Sequence, residues 1–332
     1  MRALIYAPRG YSKYRRRLEE ALRAAGVEWM ALARSGGGGP TAADFLLVVG
    51  DDHAVLEAHG MLGLDVPPIL GFSQAGAGGF LATVGIDEME KAVRLLSTGT
   101  FELEEAPRLM VEADSQRLNP AINDVAVFPW RSATLMEYTL SVQGEFMWRD
   151  YADGVVVATP IGSTAYALSA GGPLLHQRAN ALVVVAVNSM DVTRRPLVVP
   201  LSAEIRIADI ASTSRCYIIV DGVRRVKVTD EVRIYGAPKP LRFVRILSAS
   251  SLAERTAKKI ELAQELLKMP PSAKLVLKVL QQEGSLSYRD VVEKTLLPER
   301  TARLALSLLV EKGLVKRRAM LGDARRHVYS VA

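Results

Sequence analysis

The spacing of apolar segments changes twice along this chain of 332 residues, and each change limits the fold that can follow. In the first hundred residues, short apolar runs at Ala3 to Ala7, Trp29 to Leu32 and Phe45 to Val49 are interrupted by an amphipathic stretch, Ser12 to Ala25, that stops at Gly26. Strands alternating with helices predict an α/β domain built on a parallel sheet. Gly36 to Pro40 reads as a loop between strands. After about Glu102 the helical period vanishes. Closely spaced strands are predicted at Ala121 to Phe128, Thr134 to Val142, Gly154 to Thr159, Leu182 to Val187, Glu204 to Ile210, Tyr217 to Val220 and Glu231 to Ile234, so the second domain is mostly β. A helical stretch, Ser251 to Lys268, then meets Pro270-Pro271, where a missing backbone donor and the clash of the second ring break the helix and mark a boundary.

Charge follows the same division. From Pro271 to Ala332 there are 12 Lys and Arg against 6 Asp and Glu, which accounts for the whole net charge of +6. The other 270 residues balance at 30 against 30, so the basic character belongs to the last module and points to a polyanionic partner. The longest apolar run, Ala181 to Val187, is far short of the roughly 18 to 20 residues of a membrane span. The N-terminus reads as a first strand rather than a signal peptide, which gives the expectation of a cytosolic protein. A single cysteine, Cys216, excludes an internal disulfide, and His53, His59, His176 and His327 lack zinc-ligand spacing.

Two segments carry chemistry. The strand ending at Val49 runs into Gly50-Asp51-Asp52-His53-Ala54, and a longer one reads Asp153-Gly154-Val155-Val156-Val157-Ala158-Thr159-Pro160-Ile161-Gly162-Ser163-Thr164-Ala165-Tyr166-Ala167-Leu168-Ser169-Ala170-Gly171-Gly172-Pro173. The first resembles the Gly-Gly-Asp-Gly-Thr turn, and the second nearly the full signature, of NAD kinases. Shorter segments fall in that family's order: Gly78-Gly79-Phe80-Leu81, Asn123-Asp124 in place of its Asn-Glu pair, Arg195-Pro196 through Pro200, Asp221-Gly222, and Leu241 to Ile260 as closing strand and return helix. The resemblance covers about residues 1 to 262. It implies domains at 1–101 (with a return helix at 247–268) and 102–246.

The resemblance also implies a ligand and roles. A family member moves the γ-phosphoryl of ATP, with Mg²⁺, onto the adenosine ribose 2′-hydroxyl of NAD, which needs an acceptor for the hydroxyl proton and bare backbone beside the phosphates. Asp52 takes the acceptor's place, with Gly50, Asp51 and His53 at the phosphates. Asn123 and Asp124 hold ribose and base edges, Thr164, Ala165, Tyr166 and Ser169 line the adenosine pocket, Asp153 faces the second nucleoside, and Asp221 belongs to the dinucleotide site. Five positions depart from the pattern: Asp51 and His53 replace glycines, Ala54 replaces the threonine after them, Gln74 stands where the family's Asn-x-Gly-x-x-Gly-Phe turn begins, and Ile161 replaces a hydroxyl residue. A carboxylate at 51 sets negative charge beside a triphosphate, with Mg²⁺ between Asp51 and Asp52 as one remedy.

The last module, 270–332, has helical spacing through Leu275, Val276, Val279 and Leu280, a second helix Tyr288 to Lys294 capped by Ser287, and a third after Pro298 with Ala302, Leu304, Ala305, Leu308 and Leu309 as its buried stripe. A hairpin follows, Leu314 to Arg318 and Arg326 to Val331. This order resembles a small α+β winged helix-turn-helix of regulator type, a class that reads duplex DNA. It places Arg300, Thr301 and Arg303 toward the major groove and Lys316, Arg317, Arg318, Arg325 and Arg326 at the wing. A winged helix that only mediates protein contacts fits the same pattern. Together the features give the expectation of a homo-oligomeric regulator that senses NAD(H) or NADP(H), binds DNA and has weak or lost phosphoryl transfer. The alternative is an active NAD kinase carrying a regulatory module.

Overall fold

The computed structural model describes residues 1–32, 43–74, 79–131, 134–246, 269–283, 286–295, 297–320 and 323–331. The loop at Gly36 to Pro40 and the helical stretch Ser251 to Lys268 lie outside these residues. The chain divides into two compact units, Met1–Thr256 and Ala257–Ala332.

The first unit opens with a seven-stranded sheet in the order Glu28–Ala31, Arg2–Tyr6, Phe45–Val49, Ile69–Ser73, Leu241–Arg245, Glu102–Ala106, with Val84–Gly85 paired to Ile69–Ser73. The pairing is parallel except between Leu241–Arg245 and Glu102–Ala106. Parallel strands are covered on both faces, which is why Phe45–Val49 is an unbroken apolar run. Its side chains alternate. Leu47 and Val49 join Leu18, Leu22 and Val93 from the helices Ser12–Ala24 and Met89–Ser97, while Leu46 and Val48 join Val55 and Ala58 from the helix Asp52–Leu62.

The chain then leaves this sheet for a sandwich of two six-stranded antiparallel sheets. One runs Glu145–Ala152, Met136–Val142, Ile205–Ser212, Val232–Gly236, Leu109–Ala113, Gln116–Ala121, and the other Leu197–Pro200, Ala181–Val187, Gly154–Ala158, Asp124–Pro129, Cys216–Val220, Arg224–Val228. Leu109, Val111, Tyr138, Leu140, Val125, Val127, Val155 and Val184 fill the space between them. The outer face of the second sheet, at Ala126, Val156 and Val185, is covered by Ala167 of the short helix Tyr166–Ser169. The single strand expected from Ala121 to Phe128 is two strands in different sheets, broken at Ile122-Asn123. The closing strand expected at Leu241 is present and returns the chain to the first sheet.

A buried arginine joins the two halves of this unit. The Arg108 guanidinium donates to the carbonyls of Gly63, Leu64 and Lys239 and faces Nε2 of the fully buried His59 at 3.3 Å. Burial, with the arginine charge second, pushes the His59 pKa down to about 3, so the ring is neutral and can accept.

In the second unit the helices Pro271–Glu283, Tyr288–Thr295 and Glu299–Glu311 enclose Ala273, Val276, Leu280, Val291, Ala305, Leu306 and Leu309, beside an antiparallel sheet ordered Leu286–Ser287, Asp323–Val331, Val315–Met320. The expected cap is present as a reciprocal pair: Asp290 N–H donates to Ser287 Oγ at 3.3 Å and Ser287 N–H donates to Asp290 Oδ2 at 2.9 Å. Leu304, expected in the buried stripe of the third helix, is exposed, as is Leu275 of the first helix, and Leu306 and Leu277 take the inner positions. Runs of consecutive apolar residues supply more candidates than one helix face can bury.

Candidate active site

The site begins where the strand Phe45–Val49 ends. Gly50 turns the chain so tightly that an added Cβ would lie 2.5 Å from Ala54 Cβ. Asp51 is extended (φ −86°, ψ −173°), and its carboxylate accepts from Ala54 N–H at 3.0 Å, the arrangement of a helix N-cap. Asp52 is the first residue of the helix. Its Oδ2 accepts from Phe80 N–H at 2.8 Å, and its Oδ1 accepts from Leu81 N–H at 2.8 Å and Ala82 N–H at 3.0 Å. Gly79 makes this grip possible, because a Cβ there would fall 2.3 Å from Asp52 Oδ1. His53 is exposed on the helix, with Nε2 3.9 Å from Glu57 Oε1.

The geometry shows that positions 51 and 53 do not break the turn. Neither residue has positive φ: one caps a helix and the other is inside it, so glycine is not required at either place. Ile161 is equally well placed. It is buried in the core cluster that also holds Ala54, Phe80, Leu81, Ala82 and Ile122. That cluster brings the segment gripping Asp52 together with the flanks of Asn123 and Gly162.

A second aspartate organises the Asn123 turn. Asp221, buried and at φ +52°, accepts backbone N–H bonds from Ile122, Asn123 and Asp124, the shortest 2.7 Å from Asn123 to Oδ1. Burial pushes its pKa up to about 6 against the opposing pull of those three donors. Opposite, Thr159 Oγ1 donates to Ile122 O at 2.7 Å, and Gly162 lies so close that a Cβ would fall 1.8 Å from Asn123 O. The Asn123 side-chain oxygen is buried without a partner, an acceptor held ready for a donor that the described residues do not supply.

The chain beyond Gly162 is pinned from within. Ser163 Oγ donates to Pro160 O and accepts from Leu175 N–H, while the buried Thr164 Oγ1 donates to Ile161 O at 2.9 Å. Ala165 is half-buried, and Tyr166 and Ser169 are exposed beyond it. The Tyr166 ring stands 5.8 Å from that of Phe128, and its hydroxyl pKa is raised by burial first and then by the charges of Asp124 and Asp153. Asp153 accepts from Asn188 Nδ2 at 2.8 Å. The expected dinucleotide residues Asp124, Asp153 and Tyr166 are therefore close enough to act on one another electrostatically.

Two family models match the chain: the ATP-NAD kinase N-terminal domain over residues 39–101 and the ATP-NAD kinase C-terminal domain over residues 122–246. An NAD kinase of Methanopyrus kandleri is 33% identical over 216 residues, which is 65% of this chain and 77% of the relative. The chain belongs to the NAD kinase family. An NAD kinase of Pseudomonas aeruginosa is 35% identical over 211 residues, 60% of this chain and 70% of the relative. Among solved structures, an NAD kinase from Archaeoglobus fulgidus in complex with ATP superposes with a TM-score of 0.66 at 26% identity, covering 79% of this chain and 99% of that one. A yeast NADH kinase complexed with NADH has the same TM-score at 24% identity over 79% of this chain and 86% of its own, a likeness of fold.

Family membership overturns the expectation of a DNA-binding regulator with weak or lost phosphoryl transfer, since relatives at 33% to 38% identity are named NAD kinase. The error lay in treating Asp51 and His53 as breaks in the turn. On the last module, Arg300 and Arg303 are exposed on the helix Glu299–Glu311, with Thr301 between them, and the Arg303 guanidinium stacks 5.5 Å from the Tyr288 ring. Lys316 and Arg317 are exposed, Arg317 bonding the His327 ring, whereas the side chains of Arg318, Arg325 and Arg326 lie outside the described residues. The functional contacts missing from the sequence reading are the backbone N–H groups of Phe80, Leu81 and Ala82. They sit about thirty positions from Asp52, where no local spacing rule applies. Among the described residues, no helix is long and apolar enough to cross a membrane.

Proposed function

We propose that the chain transfers the γ-phosphoryl of ATP to the 2′-hydroxyl on the adenosine ribose of NAD, forming NADP and ADP. The observation that carries this reading is the grip on Asp52. A carboxylate has about four lone-pair directions, and the three backbone donors leave one, on Oδ2, for the substrate hydroxyl. The 2′-oxygen attacks the γ-phosphorus, the bond to the β–γ bridging oxygen breaks with ADP as leaving group, and the hydroxyl proton passes to Asp52. Fixing the acceptor before substrate arrives removes the cost of orienting it during the reaction.

The unpartnered Asn123 oxygen suits a ribose or base donor, with Asp124, Thr164, Ala165, Tyr166 and Ser169 around the adenosine and Asp153 toward the second nucleoside. Asp221, its carboxylate committed to the Asn123 turn, positions that residue instead of touching ligand. Among the described residues no group of three His, Cys, Asp or Glu side chains could hold a metal ion. Magnesium, which neutralises phosphate charge when bound, suits a site where the nucleotide supplies most ligands and Asp51 supplies a neighbouring carboxylate, because Mg²⁺ usually keeps several waters and takes only one or two protein oxygens. For residues 271–331 the proposal is limited to fold: the element order supports a winged helix, as a third domain after 1–101 and 102–246. The test is NADP formation from NAD with Mg²⁺ and ATP by the full chain. Turnover that needs all three supports the reading, and its absence overturns it.

A further inference from the structure

In the parallel sheet, Arg2–Tyr6 and Phe45–Val49 are neighbours, registered from Ala3 with Phe45 to Tyr6 with Val48. The first continues through Ser12–Ala24 to Glu28–Ala31 on one side, and the second through Asp52–Leu62 to Ile69–Ser73 on the other. Connections that part in opposite directions open a crevice at the carboxyl ends of the two strands, the place where sheets of this kind bind ligands. One wall is Gly50 to His53. The other is formed by Pro8, the 3₁₀ turn Arg9–Tyr11 and the first residues of the helix Ser12–Ala24. The walls touch: a Cβ on Gly50 would lie 3.6 Å from Pro8 Cδ, and the Tyr11 hydroxyl feels the charge of Asp51.

This wall carries two exposed cations, Arg9 in the 3₁₀ turn and Lys13 in the first turn of the helix. Of the arginines close to them in sequence, Arg2, Arg15 and Arg17 are committed to Glu28, Glu19 and Glu90, whereas Arg16, further along the helix, is exposed and has no such partner among the described residues. Among the described residues, no hydrogen bond or ion pair engages Arg9 or Lys13. We propose that Arg9 and Lys13 bind the polyphosphate tail of the nucleoside triphosphate and supply the positive charge that offsets Asp51 across the crevice. The phosphate site is thus shared between the two walls, and the carboxylate that replaces glycine is tolerated because the opposite wall neutralises it. Exposed cations attract a polyanion over roughly a Debye length and are screened by salt, so the contribution should fall as ionic strength rises.

This inference rests on the kinase reading, and the experiment separates the two. In steady-state NADP formation, the double variant Arg9→Ala, Lys13→Ala should raise KM for ATP and the inhibition constant of inorganic tripolyphosphate about tenfold or more, with KM for NAD within about twofold. Arg9→Lys, Lys13→Arg should restore both constants to within about threefold, and the difference between wild type and the alanine variant should shrink at high salt. An active wild type whose alanine variant keeps both constants within about twofold, or raises both KM values together, would overturn the assignment. If wild type forms no NADP, the kinase reading falls. Calorimetric titration of tripolyphosphate into wild type and the double variant then decides: weaker binding by the variant supports the assignment, and equal binding overturns it.

Discussion

Asp52 and Asp221 use the same device in two surroundings. Each carboxylate accepts backbone N–H bonds from three consecutive residues far away in sequence, 80–82 for one and 122–124 for the other. Asp221 is buried, and its pKa rises to about 6 despite the three donors. Asp52 is only partly buried. The same hydrogen bonds therefore serve two ends. Where solvent and substrate are excluded, the carboxylate becomes a clamp that fixes the Asn123 turn. Where one lone pair remains open, the carboxylate is free to be the oriented acceptor of the proposed reaction. The difference lies in access, and the variants below should separate the two roles.

The largest effect is expected at the clamp. Asp221→Ala leaves three backbone donors without partners, and at about 1 to 3 kcal/mol for each unsatisfied group the loss of stability should reach about 4 kcal/mol, read by denaturant unfolding. A loss below about 1 kcal/mol would mean that water replaces the carboxylate. Asp221→Asn keeps an acceptor and removes the titration. In wild type, the native state holds the Asp221 proton up to about pH 6 while the unfolded chain releases it near 3.8, so this group adds stability as pH falls through that window. His59 acts oppositely, because a pKa lowered from 6.5 to about 3 makes its contribution disappear as pH falls. The asparagine variant should therefore lose stability more steeply than wild type between pH 6 and 4, by on the order of 3 kcal/mol. Parallel pH profiles would contradict this assignment.

Next comes the acceptor. Gly79→Ala sets a methyl 2.3 Å from Asp52 Oδ1 and 2.8 Å from the backbone oxygen of Ala82, so the gripping segment must shift; a displacement of about 1 Å at the carboxylate should lower kcat about a hundredfold, or about 2.7 kcal/mol of barrier, in protein shown by its unfolding transition to be folded. An unchanged kcat would break the link between the grip and the reaction. The smallest effect is at the cap: Asp51→Ala should cost about 1 kcal/mol, seen as a fall in Tm of about 2 to 4 °C. No fall would show that the Asp51 to Ala54 bond contributes nothing to stability.

What the sequence revealed of these regions follows from how local the signals are. The strand Phe45–Val49 was readable because burial on both faces writes an apolar run. The break at Ile122-Asn123 was hidden because apolar residues continue through it and the restraint, Asp221, lies about a hundred positions away. Asp51 is itself a helix N-cap signal. Comparison with a glycine family pattern made it look like damage, when the chain had exchanged one way of starting a helix for another. Leu304 was misplaced for the ordinary reason that an apolar residue on a surface costs little. The grip on Asp52 is carried by backbone amides, which leave no residue-type signature, and only Gly79 hints at it through the room it leaves.

Single-turnover formation of NADP by wild type and Asp52→Asn, with NAD, Mg²⁺ and ATP saturating, tests the central claim most directly. Asparagine keeps the shape and can accept bonds from the amides of 80–82, yet cannot take the hydroxyl proton, so the chemical step should slow by about 10² to 10⁴ while NAD affinity stays within about threefold. A variant rate within about threefold of wild type would contradict the claim that Asp52 is the oriented proton acceptor.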